Sequence, residues 1–138
     1  MTKENKDILL KYLCMALPYD CMLSIAEGGI GGLQWVNVTL NSYLLYQIEE
    51  EDGLEYIKPY LLPMSSMTME DLQNLSNEIG LGVAFDNEKY ELWLKGHTTI
   101  LDNSLAIDWL LKNHFDFMGL IEKGLALEAP EGTYKHIV

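Results

Sequence analysis

The chain has 138 residues, including nine lysines, no arginine and 21 aspartates or glutamates, and its formal net charge is −12. Without arginine it lacks the planar side chain that binds phosphates in bidentate fashion, and its acidity repels nucleic acid and anionic membranes. Direct nucleic-acid binding and membrane-surface binding are therefore disfavoured. Hydrophobic residues make up 49% of the chain, which is enough for the core of one domain.

The chain begins with a predicted amphipathic helix over residues 4–17, ended by Pro18. Lys11 interrupts its apolar stretch, so the segment does not fit a signal peptide. No stretch reaches the roughly 18–20 apolar residues of a membrane helix. We therefore expect a cytoplasmic protein that is not bound to a membrane. Its two cysteines, Cys14 and Cys21, are predicted to be buried free thiols, although a disulfide across Pro18 is geometrically possible.

Residues 21–62 are predicted to form a β-meander. A glycine-rich turn over residues 28–32 separates the first two strands, since the Gly-Lys-Ser/Thr of a phosphate-binding loop is missing. The phase of the apolar residues flips between Trp35 and Val36, which indicates a bulge. Asp52-Gly53 is typical of a hairpin turn. The predicted strands cover residues 22–26, 33–40, 43–48 and 54–62.

The second half of the chain alternates helices with short strands. Thr68 and Asp71 have the spacing of a capping box, with aspartate in place of the usual glutamate or glutamine, which predicts a helix up to Gly80. A hairpin is predicted around residues 86–88. The remaining predicted elements are a helix from Asn103 or Ser104, a short helix over 117–123 capped by Asp116 and closed by Gly124, and a strand over 125–129.

Together these elements predict an α+β fold in a single domain, residues 1–138. It has an N-terminal helix, a mostly antiparallel β-meander of about four to six strands, and helices packed on one face.

An acidic run is the first candidate binding site. Its carboxylates lack the ligand spacing of a calcium loop, so we interpret the run as a solvated hairpin tip. A docking surface for a basic protein of the host or a phage is the alternative. The five acidic residues are Glu49, Glu50, Glu51, Asp52 and Glu55.

His114 and Asp116 are the weak candidates for a catalytic pair, because an imidazole beside a carboxylate can act as a base. The stronger interpretation is structural: His114 ends one helix and Asp116 begins the next. No histidine has metal-ligand spacing with another histidine or with a cysteine pair. We therefore predict neither a metal nor a cofactor.

Two segments of the chain resemble a known family. They are Lys58–Thr68, KPYLLPMSSMT, and residues 107–126, with the blocks IDWL, NHFD and GLIEKGLA. Together with Leu17-Pro18-Tyr19, they are similar to small uncharacterised proteins of prophages and mobile elements of gut bacteria. The resemblance implies a mobile-element protein and carries no activity with it.

Three functional hypotheses remain open. The leading one is a non-catalytic accessory or interaction protein of a prophage or mobile element. The second is an acidic nucleic-acid mimic that binds a host DNA-binding protein, based on the charge of −12. The third is a small enzyme that uses His114 and Asp116, which requires an open pocket beside both side chains. The oligomeric state is not predicted.

Overall fold

The computed structural model describes residues 1–29, 32–51, 53–79, 83–86, 91–94, 98–99 and 104–134. Within them the α+β class is confirmed, with an N-terminal helix and a mixed four-stranded sheet. The helices are α1 (Lys3–Ala16), α2 (Ser42–Glu51), α3 (Met69–Ile79) and α4 (Ser104–Lys112). The strands are β1 (Met22–Gly29), β2 (Gly32–Thr39), β3 (Ile57–Leu61), β4 (Val83–Asp86), β5 (Glu91–Leu94), β6 (Thr98–Thr99) and β7 (Leu127–Glu128).

The chain divides into two compact units. Unit 1 comprises residues 1–61 and 118–138, and unit 2 comprises residues 62–117. The single-domain expectation stays a prediction. Across the described parts of both units, no helix is long and apolar enough to cross a membrane.

The sheet of unit 1 has the strand order β2-β1-β3-β7. β1 is antiparallel to both β2 and β3, whereas β7 is parallel to β3. β1 and β2 form a hairpin closed by Gly29 opposite Gly32, which confirms that the glycine-rich segment joins two strands. The predicted bulge is wrong, because the register passes without interruption through Ala26–Trp35 and Ile25–Val36.

Helix α1 forms as its periodicity predicts. Thr2 caps it, since its side chain accepts the amide N–H of Asn5 at 3.1 Å. Pro18 ends the regular helix, and Asp20 takes a left-handed backbone conformation at φ 52°. The buried face consists of Leu9, Tyr12, Leu13 and Ala16.

The predicted third strand of the meander is wrong. Residues 43–48 lie in helix α2, so the chain leaves the sheet after β2 and returns only at β3. Leu45 and Ile48 are buried while Tyr43 and Tyr46 are exposed, which is the periodicity of a helix with one buried face. The apparent alternation of Leu44, Tyr46 and Ile48 was compatible with both structures because the segment is short.

The C-terminal segment is attached to this sheet by Tyr134. Its hydroxyl donates to the carbonyl of Tyr60 at 2.6 Å and accepts the amide N–H of Met22 at 2.9 Å. Met22 and Tyr60 would face each other one position beyond the Leu23–Pro59 pair. The hydroxyl therefore bridges β1 and β3 where the direct ladder stops.

Unit 2 is built on α3, α4 and the strands β4 to β6. The capping box of α3 is confirmed: the amide N–H of Thr68 donates to Asp71 Oδ2 at 2.9 Å, and that of Asp71 donates to Thr68 Oγ1 at 3.1 Å. The antiparallel pairing of the predicted hairpin is confirmed by β4 and β5, while residues 87–90 between them lie outside the described residues. Strand β6 was not predicted. The buried core contains Leu75, Ile79, Ala106, Trp109, Leu110 and Phe115.

The predicted short helix over residues 117–123 is wrong. The structure has turns there, with Gly119 at φ 71° and Gly124 at φ 75°. Before Gly124, the amide N–H of Lys123 donates to the carbonyl of Gly119 at 3.2 Å, which is a helical bond. A left-handed glycine at each end leaves room for one turn and no more. The predicted last strand is present but shorter, as β7.

Candidate functional site: an open cleft beside helix α2

Asn41 fixes the start of α2 next to the end of β2. Its side-chain Oδ1 accepts the amide N–H of Leu44 at 2.8 Å, and its backbone carbonyl accepts that of Leu45 at 3.0 Å. This is an N-cap, for which asparagine is among the preferred residues. Because Leu45 and Ile48 face the core, the tyrosines between and before them are turned outward.

An open cleft of about 540 Å³ lies in unit 1, between α2, the 3₁₀ turn Gly53–Tyr56 and the sheet. Its floor is largely aliphatic, and Asn41, Thr39 and Gln47 add polar groups. A cleft with apolar walls and a few polar groups is the usual shape of a binding site. Its lining residues are Ile25, Ala26, Val38, Thr39, Asn41, Tyr43, Leu44, Gln47, Ile48, Gly53, Tyr56 and Ile57.

Three exposed tyrosines lie in or next to the cleft. We call these residues, Tyr43, Tyr46 and Tyr56, the tyrosine surface. Their exposed fractions are 69%, 62% and 47%. Tyr43 and Tyr56 line the cleft, and Tyr46 follows Tyr43 by three positions on α2, which places it on the neighbouring part of the helix surface. Gln47 Nε2 donates to the hydroxyl of Tyr43 at 3.2 Å. The tyrosine surface presents large aromatic area that the fold itself leaves uncovered.

The cleft offers groups that can bind a partner. Of the described residues that line it, none is charged, and none is a histidine or a cysteine. The apolar floor supplies contact area, and the amide, hydroxyl and phenol groups can form hydrogen bonds.

The acidic run does not form the expected hairpin tip. Glu49, Glu50 and Glu51 lie in the last turn of α2, and Glu55 lies in the 3₁₀ turn that follows. Asp52 is outside the described residues. Glu55 Oε1 is 3.3 Å from the N-terminal ammonium of Met1. The hairpin expectation is wrong, because a hairpin needs two flanking strands, whereas residues 49–51 are helical and residues 53–56 form a 3₁₀ turn. Glu49, Glu50 and Glu51 therefore belong to the helix that bears Tyr43 and Tyr46.

His114 and Asp116 belong to a helix end in unit 2. The amide N–H of His114 donates to the carbonyl of Leu111 at 3.1 Å, and that of Phe115 donates to the carbonyl of Leu110 at 3.0 Å. His114 itself is left-handed at φ 63°. This is a Schellman motif with histidine at the position that usually holds glycine.

The same turn is hydrogen-bonded to the backbone of Leu62. Leu62 donates its amide N–H to the carbonyl of His114 and accepts the amide N–H of Asp116, each at 2.8 Å. The side chains of His114 and Asp116 are only 8% and 7% exposed. This burial favours the structural interpretation of both residues, because a catalytic pair has to reach its substrate.

A second Schellman motif ends the turn after Gly119. Gly124 donates to the carbonyl of Ile121 at 3.0 Å, and Leu125 donates to that of Leu120 at 2.9 Å. Residues 107–126 thus contain two chain reversals of the same type, which is an architectural property.

The two cysteines are free, Cys14 exposed and Cys21 buried, so burial was predicted correctly for one of them. Burial raises the pKa of the Cys21 thiol to about 11, an effect that the Tyr134 hydroxyl, 3.8 Å from Sγ, partly offsets. Burial likewise raises the pKa of Tyr134. Both groups are therefore protonated at neutral pH and unsuited to nucleophilic attack. Among the described residues, no three His, Cys, Asp or Glu side chains are grouped to hold a metal ion.

Sequence patterns missed the cleft because they assigned residues 43–48 to the sheet. The pattern that could have predicted helix α2 is Asn41 as an N-cap, followed by Leu44, Leu45 and Ile48 at helical spacing.

No protein-family model matches the chain, and no curated protein or solved structure is significantly similar to it. The resemblance to prophage proteins therefore stays a prediction, and the geometry of the cleft is the basis on which a function is inferred.

Proposed function

We propose that the protein is a non-catalytic, cytoplasmic interaction protein of a prophage or mobile element, and that it binds a basic host or phage protein through the cleft and the tyrosine surface. The exposure of Tyr43, Tyr46 and Tyr56 around an open apolar cleft carries the proposal. Tyrosine is enriched among the residues that dominate binding energy at protein interfaces.

The charge of the chain supports a basic partner. The formal net charge is −12, and five acidic residues lie between positions 49 and 55, immediately after the tyrosines of α2. Carboxylates at such a position steer a basic protein toward the surface. The phenol rings then offer apolar contact and cation–π partners for its lysines and arginines.

This division of roles differs from that of a nucleic-acid mimic. A mimic binds almost entirely through charge, so salt would release its partner. A partner held by aromatic contacts is bound more slowly in high salt and is still retained, because contact area is not screened.

The test is affinity capture from lysate of the bacterial host at low and high salt, with captured proteins identified by mass spectrometry. The bait is compared with a variant carrying Tyr43→Ser, Tyr46→Ser and Tyr56→Ser. A matched control carries Met69→Ser and Leu105→Ser, which change exposed apolar side chains of unit 2.

We expect one basic protein to be captured at both salt concentrations by the wild type and the control, and to be lost with the tyrosine variant. Release of the partner from the wild type at high salt, with equal capture by the tyrosine variant at low salt, would contradict the proposal and favour the mimic. Turnover of a small substrate that a single substitution abolishes would contradict it as well.

A further inference from the structure

Strand β2 forms one edge of the sheet of unit 1. In the described residues it pairs only with β1, on one side. The opposite edge is β7, which has two residues, whereas β2 has eight. A short edge strand offers little backbone for pairing, and a long one offers much.

The hydrogen bonding of the hairpin shows which groups of β2 face outward. Leu40 donates its amide N–H to the carbonyl of Cys21 at 2.8 Å, one position beyond the Met22–Thr39 pair. Antiparallel ladders alternate hydrogen-bonded and non-hydrogen-bonded pairs. Trp35, Asn37 and Thr39 therefore direct their N–H and C=O groups away from β1, toward the free edge.

This edge lacks the features that usually prevent pairing. Residues 28–48 are 21 consecutive positions without a charge or a proline, although 22% of the whole chain is charged. The β1–β2 register contains no bulge. Natural edge strands are usually protected by lysine, proline or a bulge. Trp35 is also 53% exposed beside the free edge.

We infer that this edge pairs with the same edge of a second copy of the chain, giving a two-fold dimer in which two copies of β2 run antiparallel in one continuous sheet. An uncharged strand is neither attracted to a basic partner nor repelled by an acidic one. Two copies that each carry −12 approach with least repulsion where neither bears charge.

The strand is also complementary to itself. Its outward-facing backbone groups recur at every second residue, so a two-fold axis pairs them with their equivalents. Full overlap of the two strands places the axis near Val36, and Trp35 then lies opposite Asn37 of the second copy. The dimer edge and the cleft share Val38 and Thr39 of β2, and the partner of the cleft is a different protein.

The test combines sedimentation equilibrium with residue-resolved amide exchange on the whole chain. One variant carries Trp35→Lys and Asn37→Lys, and a second carries Trp35→Glu and Asn37→Glu. A control carries Met69→Lys and Leu105→Lys, on exposed positions of α3 and α4. Circular dichroism checks that each variant folds.

We expect the wild type and the control to have twice the mass of one chain, and each edge variant alone to dissociate at least about tenfold more readily, because like charges then face each other across the axis. Mixing the two edge variants should restore the dimer. The lysine variant lowers the net negative charge, so its dissociation cannot come from general repulsion.

Amide exchange keeps the inference testable if an edge variant fails to fold. In the wild-type dimer the amides of Trp35 and Asn37 should be protected together with those of Val36 and Val38, which bond to β1. A wild type that has the mass of one chain at every concentration would overturn the inference. So would a dimer in which Trp35 and Asn37 exchange rapidly.

Discussion

Helix α2 and the end of α4 at His114 differ in how far their polar and aromatic side chains are exposed. The turn at His114 contains the two predicted catalytic candidates, His114 and Asp116, and both are buried. The backbone bonds of this turn end α4 and join it to Leu62. The surface of α2 bears tyrosines and leaves them exposed beside a cleft. Reactive side chains in a sequence therefore indicate a site only when the fold leaves them accessible.

Phe115→Ala tests the structural role of the buried turn at His114 and has the largest expected effect. Phe115 is 1% exposed and stacks on Trp109 with ring centroids 5.8 Å apart. Truncating it should reduce the free energy of unfolding by about 3–5 kcal/mol, through lost transfer energy and a cavity. Chemical denaturation measures this, with Tyr43→Ser as an exposed control that changes stability by about 0.5 kcal/mol or less. A loss for Phe115→Ala no greater than that of the control would contradict the structural role of the turn.

The stability of the protein at alkaline pH tests whether the Cys21 thiol of unit 1 is buried. Cys21 titrates near pH 9 in the unfolded chain and at about 11 in the folded one. Between these values the unfolded state releases a proton that the folded state keeps, so stability falls as pH rises, by up to about 2–3 kcal/mol. Denaturation curves from pH 8 to 11 should show the fall, and Cys21→Ala should reduce it. An unchanged wild-type midpoint over this range would contradict the burial.

Tyr134→Phe tests whether the Tyr134 hydroxyl stabilises the fold, in contrast to the exposed hydroxyls of the tyrosine surface. It removes the bridge between Met22 N–H and the carbonyl of Tyr60, which should cost about 1–2 kcal/mol because both backbone groups lose a partner. Tyr46→Phe, on an exposed ring, is the matched control and should leave the denaturation midpoint unchanged. Equal midpoints for the two variants would show that the bridge does not hold the strands.

Gly124→Ala is the mildest probe of the buried architecture. A Cβ at this position meets nothing within 4 Å, but the backbone has φ +75°. Alanine should therefore cost about 1 kcal/mol by backbone strain alone. Glu122→Ala, an exposed change in the same turn, serves as the control in thermal unfolding. A Gly124→Ala variant as stable as the control would mean that the turn relaxes to another conformation.

The sequence predicted those parts of the fold whose signals are local. The Thr68–Asp71 capping box, the run of α1 up to Pro18 and the hairpin of β4 and β5 all depend on neighbouring residues. Residues 43–48 were assigned to the wrong structure because a six-residue apolar pattern fits both a strand and a helix. The cleft depends on tertiary packing between α2 and the sheet, so it could not be predicted before that helix was known.

We propose that binding depends on the tyrosine surface and that the stability of the fold does not. The most direct test of this claim measures both quantities on one preparation of the variant carrying Tyr43→Ser, Tyr46→Ser and Tyr56→Ser. These side chains are exposed, so we expect a denaturation midpoint close to that of the wild type together with loss of the captured partner. Undiminished capture at an unchanged midpoint would contradict the claim.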